Sequence, residues 1–97
     1  MITREFAEHA GEVCRMAVET FGWEKQSLIA VEEMSELTKE IIKKHRGLNN
    51  ELHLAEEVAD VMVTLLQLVD MFDIRDRVDM ALEFKIDRLE KKIGGRA

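Results

Sequence analysis

The chain contains no proline and no tyrosine, one cysteine and one tryptophan. Without proline nothing along its length forbids a helix, because proline alone both lacks the N–H and clashes with the preceding turn. A lone Cys14 cannot close an internal disulfide and suits a reducing, cytoplasmic compartment. It is expected as a small buried hydrophobe rather than a reactive thiol. Long apolar runs are also missing. The most hydrophobic stretch, Val61 to Val69, is broken by Thr64 and Gln67 and falls far short of the ~20 residues a membrane span needs. The charged opening Met1-Ile2-Thr3-Arg4-Glu5 does not read as a secretory leader. Excess positive charge is absent too: the net charge is -6. Such a chain offers little to a phosphate backbone, so neither a nucleic-acid polymer nor a membrane is expected as a partner.

What is abundant points one way. Ala, Leu, Glu, Lys and Met dominate, and these are the strong helix formers. Hydrophobic residues at 46% and charged residues at 35% suit a folded amphipathic chain rather than a disordered one. With 97 residues there is room for a single domain, spanning 1–97, small enough that self-association is expected to add stability.

Helical periodicity divides the chain into four segments punctuated by Gly, Asn and Asp. The first runs from an N-cap at Thr3 to about Thr20 and stops at Gly22. The second covers Glu24 to Arg46 and stops at Gly47, with Lys43, Lys44, His45 and Arg46 complementing the helix dipole. The third begins after Asn49-Asn50 and continues to about Phe72. The fourth is capped by Asp73 and extends to Ile93, before Gly94-Gly95, with Lys91, Lys92 and Arg96 at its end. No segment alternates with period two, so strands are not expected. Long helices on short loops predict an all-α, antiparallel bundle of about four helices, completed by dimer or tetramer formation. Heptads are not sustained enough for a long coiled coil.

One pattern is used twice. Val31-Glu32-Glu33-Met34-Ser35-Glu36-Leu37 lies in the second segment and Ala55-Glu56-Glu57-Val58-Ala59-Asp60-Val61 in the third. At about 100° per residue, Glu33 and Glu36 share one helix edge, and Glu57 and Asp60 share another. The apolar stripes Ala30-Met34-Leu37-Ile41 and Leu54-Val58-Val61-Leu65 run alongside with the same sense of rotation. Packing the stripes together therefore brings four carboxylates toward one another. Converging carboxylates repel unless some protonate or a cation intervenes. An all-oxygen set suits Mg²⁺, with Mn²⁺ as a substitute, rather than zinc. His9, His45 and His53 have no Glu-x-x-His partner, which disfavours a ferritin-like di-iron site. Glu32 and Glu56 are expected to face solvent, and Glu40, one turn beyond Glu36, is a candidate further ligand or base. A single Glu-x-x-Glu is usually a solvated face; two copies in matched rotation are what single these residues out.

Glu33-x-x-Glu36, twenty intervening residues, then Glu57-x-x-Asp60 resembles the signature of the all-α nucleotide pyrophosphohydrolase superfamily. That group includes MazG-like enzymes, dimeric dUTPases and phosphoribosyl-ATP pyrophosphohydrolases. Gln26-Ser27-Leu28 and, more weakly, Phe84-Lys85-Ile86-Asp87-Arg88-Leu89 add to the likeness, which covers roughly Gly22 to Ile93. The resemblance implies hydrolysis of a nucleoside triphosphate to the monophosphate and pyrophosphate. It also implies Mg²⁺ held by the catalytic acids Glu33, Glu36, Glu57 and Asp60, in a homodimer or homotetramer. Lys85 and Arg88 are candidate phosphate contacts, although the Asn and Tyr that many members carry in this segment are missing here. Trp23 and His53 are candidate substrate contacts, each with a plainer alternative as a hydrophobic anchor and an exposed first-turn histidine. No histidine follows the second acidic turn in Val61-Met62-Val63-Thr64, which counts against the phosphoribosyl-ATP branch. Two other readings stay open: a non-catalytic dimerising or regulatory module, and a related pyrophosphohydrolase acting on another diphosphate.

Overall fold

A computed structural model describes residues 2–94, and Gly95 and Arg96 of the expected helix end lie outside them. Four α-helices account for nearly all of it: α1 (Arg4–Phe21), α2 (Trp23–His45), α3 (Glu51–Met71) and α4 (Arg75–Gly94). No strand occurs among the described residues. Thr3 caps α1, its hydroxyl accepting from the Phe6 N–H at 3.0 Å. Gly22, at φ 89°, ends that helix in a conformation few side chains tolerate, and α2 begins at the next residue.

The ends of α2 and α3 close the same way. After α2, Gly47 sits at φ 82° while its N–H reaches the Lys44 carbonyl and the Leu48 N–H reaches that of Lys43. After α3, Asp73 takes the equivalent left-handed place at φ 52°, with Asp73 N–H on the Asp70 carbonyl and Ile74 N–H on that of Val69. Both are paired-bond closures that satisfy the last carbonyls of a helix. Asp73 therefore terminates α3 instead of capping α4, and the first α4 bond is accepted by the Ile74 carbonyl from the Val78 N–H.

Packing centres on α2 and α3, which run in opposite directions. Near the start of α2, Gln26 Nε2 donates to Gln67 Oε1 at 2.7 Å; at the other end, Asn50 Nδ2 donates to the Glu40 carbonyl and Oε1. Helix α1 lies against both, chiefly against α3. The buried residues on the α2–α3 seam are Gln26, Ala30 and Glu40 from one helix and Val61, Thr64 and Gln67 from the other. The expected apolar stripes are only partly there. Ala30 and Val61 are buried and Leu37 and Leu54 half-buried, whereas Met34, Ile41, Val58 and Leu65 are exposed. Polar residues take seam places beside the apolar ones, and the enclosed Gln26 and Gln67 amides satisfy each other there.

Helix α4 touches only α3 among the described residues, and nothing beyond Val78 in it is even half-buried. The radius of gyration is 16.0 Å, against about 13 Å for a compact chain of this size. One copy thus forms a three-helix unit with a fourth helix projecting from it, not a closed four-helix bundle. No described helix is long and apolar enough to cross a membrane.

Candidate metal centre

The α2–α3 seam fixes the height of the acidic turns. With Gln26 opposite Gln67 and Glu40 opposite Asn50, the middle of α2 must lie beside the first half of α3. Glu33 then faces Glu57 and Asp60, and one carboxylate oxygen from each lies within 4.8 Å of the others. Glu33 and Glu57 are half-buried and Asp60 is exposed, so the group sits at the rim of the seam.

Its electrostatics are those of a site short of positive charge. Desolvation pushes the Glu33 carboxyl above the ordinary range, helped by the charge of Asp60, a hydrogen bond shared with Asp60, and the charges of Glu57 and Glu36. Glu57 Oε2 is buried and has no hydrogen-bond partner. A buried carboxylate oxygen left unsatisfied is costly and uncommon. A hard cation coordinated by all three residues would satisfy that oxygen and relieve the repulsion at once, and the all-oxygen donor set fits Mg²⁺ or Mn²⁺.

Three of the four expected ligands converge. Glu36 stands outside the group, half-exposed, with its Oε1 3.3 Å from Lys39 Nζ. It lies close enough to Glu33 to raise its carboxyl through charge alone. Glu40, the candidate fifth acid, points elsewhere. It is buried, accepts from Asn50 Nδ2 at 3.0 Å and from Lys43 Nζ at 2.9 Å, and is thereby held below the usual carboxylate range. Its role is to tie the two helices beside the loop. Glu32 and Glu56 face solvent as expected.

Of the proposed substrate contacts, His53 stands one turn before Glu57 on α3, and the other three lie on other elements or further along α2. Trp23 packs edge-on against Phe72, ring centroids 6.1 Å apart, ten residues before Glu33 and so about 15 Å away along the helix. His53 is exposed and its charge is felt by Glu40, toward the loop end. Lys85 and Arg88 ride on the projecting α4. Cys14 is buried, and desolvation followed by the charge of Asp70 raises its thiol, as befits an unreactive core cysteine.

Sequence reasoning overlooked the polar seam itself. Thr64 and Gln67 registered only as interruptions of an apolar stretch, yet they are buried while Val63, Leu65 and Leu66 are exposed. The signal was present: two polar residues three apart, on the helix edge of Glu57 and Asp60. No known protein family, curated protein or solved structure matches the chain.

Proposed function

We propose that the chain is a Mg²⁺-dependent nucleotide pyrophosphohydrolase, splitting a nucleoside triphosphate into the monophosphate and pyrophosphate. The observations that carry this reading are the convergence of Glu33, Glu57 and Asp60 and the unpartnered buried oxygen of Glu57, in the doubled acidic turn that prompted the family resemblance. When bound, the ion supplies neutralising charge for the phosphates and activation of a water for in-line attack on phosphorus. Glu57 and Asp60 would hold the ion from α3 and Glu33 from α2. A carboxylate of the cluster would accept the proton that the water gives up. Glu36 would join on release of Lys39, a surface pair whose loss costs little.

Completion of the domain by a dimer or tetramer belongs to the same reading. Val31, Met34, Ile41, Val58, Met62 and Leu65 are all at least two-fifths exposed, an apolar extent that soluble monomers rarely leave open. Phosphate contacts by Lys85 and Arg88 draw no support from a single chain, since α4 runs clear of α1 and α2. The lone buried thiol suits a reducing, cytoplasmic setting.

Two measurements test the proposal. Mg²⁺ or Mn²⁺ should raise the melting temperature of the wild-type protein and not that of Glu57→Gln. A panel of nucleoside triphosphates with Mg²⁺ should release pyrophosphate with at least one member, and Glu57→Gln should lower that rate at least a hundredfold while helicity persists. Metal-indifferent melting together with no pyrophosphate from any nucleotide would return the protein to a non-catalytic helical module.

A further inference from the structure

Helix α4 carries an organised surface that its own chain does not use. Leu82, Ile86, Leu89 and Ile93 recur at spacings of four, three and four along one edge, and each is more than half exposed. In heptad terms leucine takes both d positions and isoleucine both a positions, the combination that favours two parallel strands.

The charges on either side of this ridge are sorted by sign. One groove beside it is lined by Lys85, Arg88, Leu89 and Lys92. The groove on its other side is lined by Leu82, Glu83, Ile86, Asp87 and Glu90. Lys85 and Lys92 therefore occupy g positions, and Glu83 and Glu90 occupy e positions. This arrangement discriminates between the two ways of pairing two copies. In an antiparallel pair g faces g and e faces e, so lysine would meet lysine and glutamate would meet glutamate. In a parallel pair each g faces the e position five residues further along the other strand, which sets Lys85 against Glu90 twice by symmetry.

We propose that α4 is a short parallel coiled-coil element that joins two copies of this chain through Leu82, Ile86, Leu89 and Ile93, with Lys85–Glu90 pairs between the copies selecting orientation. The occupant is a second α4, because both the apolar register and the two charged flanks are complementary to this helix itself. A polyanion is a poorer fit, since the acidic flank lies directly beside the basic one. Two heptads on their own make a weak coiled coil, so the association depends on concentration. The inference stands apart from the metal reading, and either can fail without the other.

The test uses the full chain in a Cys14→Ala background, with circular dichroism to verify that the helices persist. Under mild oxidation Leu89→Cys should form a covalent dimer with itself. A mixture of Leu82→Cys and Ile93→Cys chains should give no preference for the mixed product, because a parallel pair holds those positions about 16 Å apart along the axis. Lys85→Glu and Glu90→Lys should each raise the dimer dissociation constant about tenfold, and the double variant should restore it. The proposal is overturned if folded Leu89→Cys stays uncrosslinked, if the mixed product predominates, or if association is indifferent to both charge reversals.

Discussion

Helices α3 and α4 are almost equal in length and both carry apolar residues at helical spacing, yet they meet opposite fates. On α3 the residues enclosed against α2 include the polar Thr64 and Gln67, while Met62, Leu65 and Leu66 look outward. On α4 nothing is buried at all. The contrast shows that periodicity identifies a helix and the face that wants covering, but not what covers it. A buried amide pair can set a seam because only one partner satisfies it, whereas an apolar stripe accepts any apolar surface of matching shape. The α2–α3 seam is thus specified within one copy, while the apolar residues of α3 and α4 that face outward have no cover in that copy.

Substitutions at the seam should therefore act within the chain, and those on α4 should not. Gln67→Ala strands the Gln26 amide in a buried place and should cost about 2 kcal/mol in denaturant unfolding. Replacing both glutamines with leucine should recover most of that loss. Phe84→Ala on α4, measured at a dilution that keeps the protein monomeric, should shift stability by less than about 0.5 kcal/mol. Equal losses at the two positions would mean that α4 is packed within the chain as firmly as the α2–α3 seam.

Next in size is a pH effect at the acidic turns. Because the Glu33 carboxyl is raised in the folded chain, the stability tied to its protonated form is fully present below the unfolded value of about 4.3 and is lost as pH rises through the folded value. Metal-free Glu33→Gln should accordingly gain on the wild type in melting temperature between pH 4 and neutrality. Saturating Mg²⁺ should reverse that order at neutral pH.

The loop end of the seam should respond in the opposite sense. Hydrogen bonds from Asn50 and then Lys43 hold Glu40 low, so its contribution is complete above about pH 4.3 and disappears as pH falls through the depressed folded value. Asn50→Ala should flatten that acid limb of a stability–pH profile; an unchanged limb would show that the bond does not couple the helices. The smallest expected change is a gain. Asp73 sits at φ 52° in the turn before α4, and Asp73→Gly should stabilise the chain by about 0.5 kcal/mol in thermal or urea unfolding.

Much of this was legible beforehand. The N-cap at Thr3, the breaks at Gly22 and Gly47 and the four helices follow from local rules, because capping and left-handed φ depend on a few neighbouring residues. The pairing of Glu33 with Glu57 and Asp60 followed from matched rotation on consecutive helices. Asp73 was misread because aspartate suits N-caps and left-handed turn positions equally well, whereas α3 does begin after Asn50 as expected. Asn50 in fact spends its amide on Glu40, and Asp73 supplies a left-handed turn. Glu40 fell on the acidic edge by angle, and only the fold revealed a nearer asparagine and lysine competing for it.

By itself the order of residues determined the helices, their ends, and the fact that two acidic turns would share a side. Those are consequences of backbone geometry acting over a few residues. Tertiary structure alone decided that Gln26 and Gln67 would close the seam, that Glu36 would stand aside, and that α4 would leave the unit. Each of these depends on which of several acceptable partners lies within reach, and reach is a property of the folded chain.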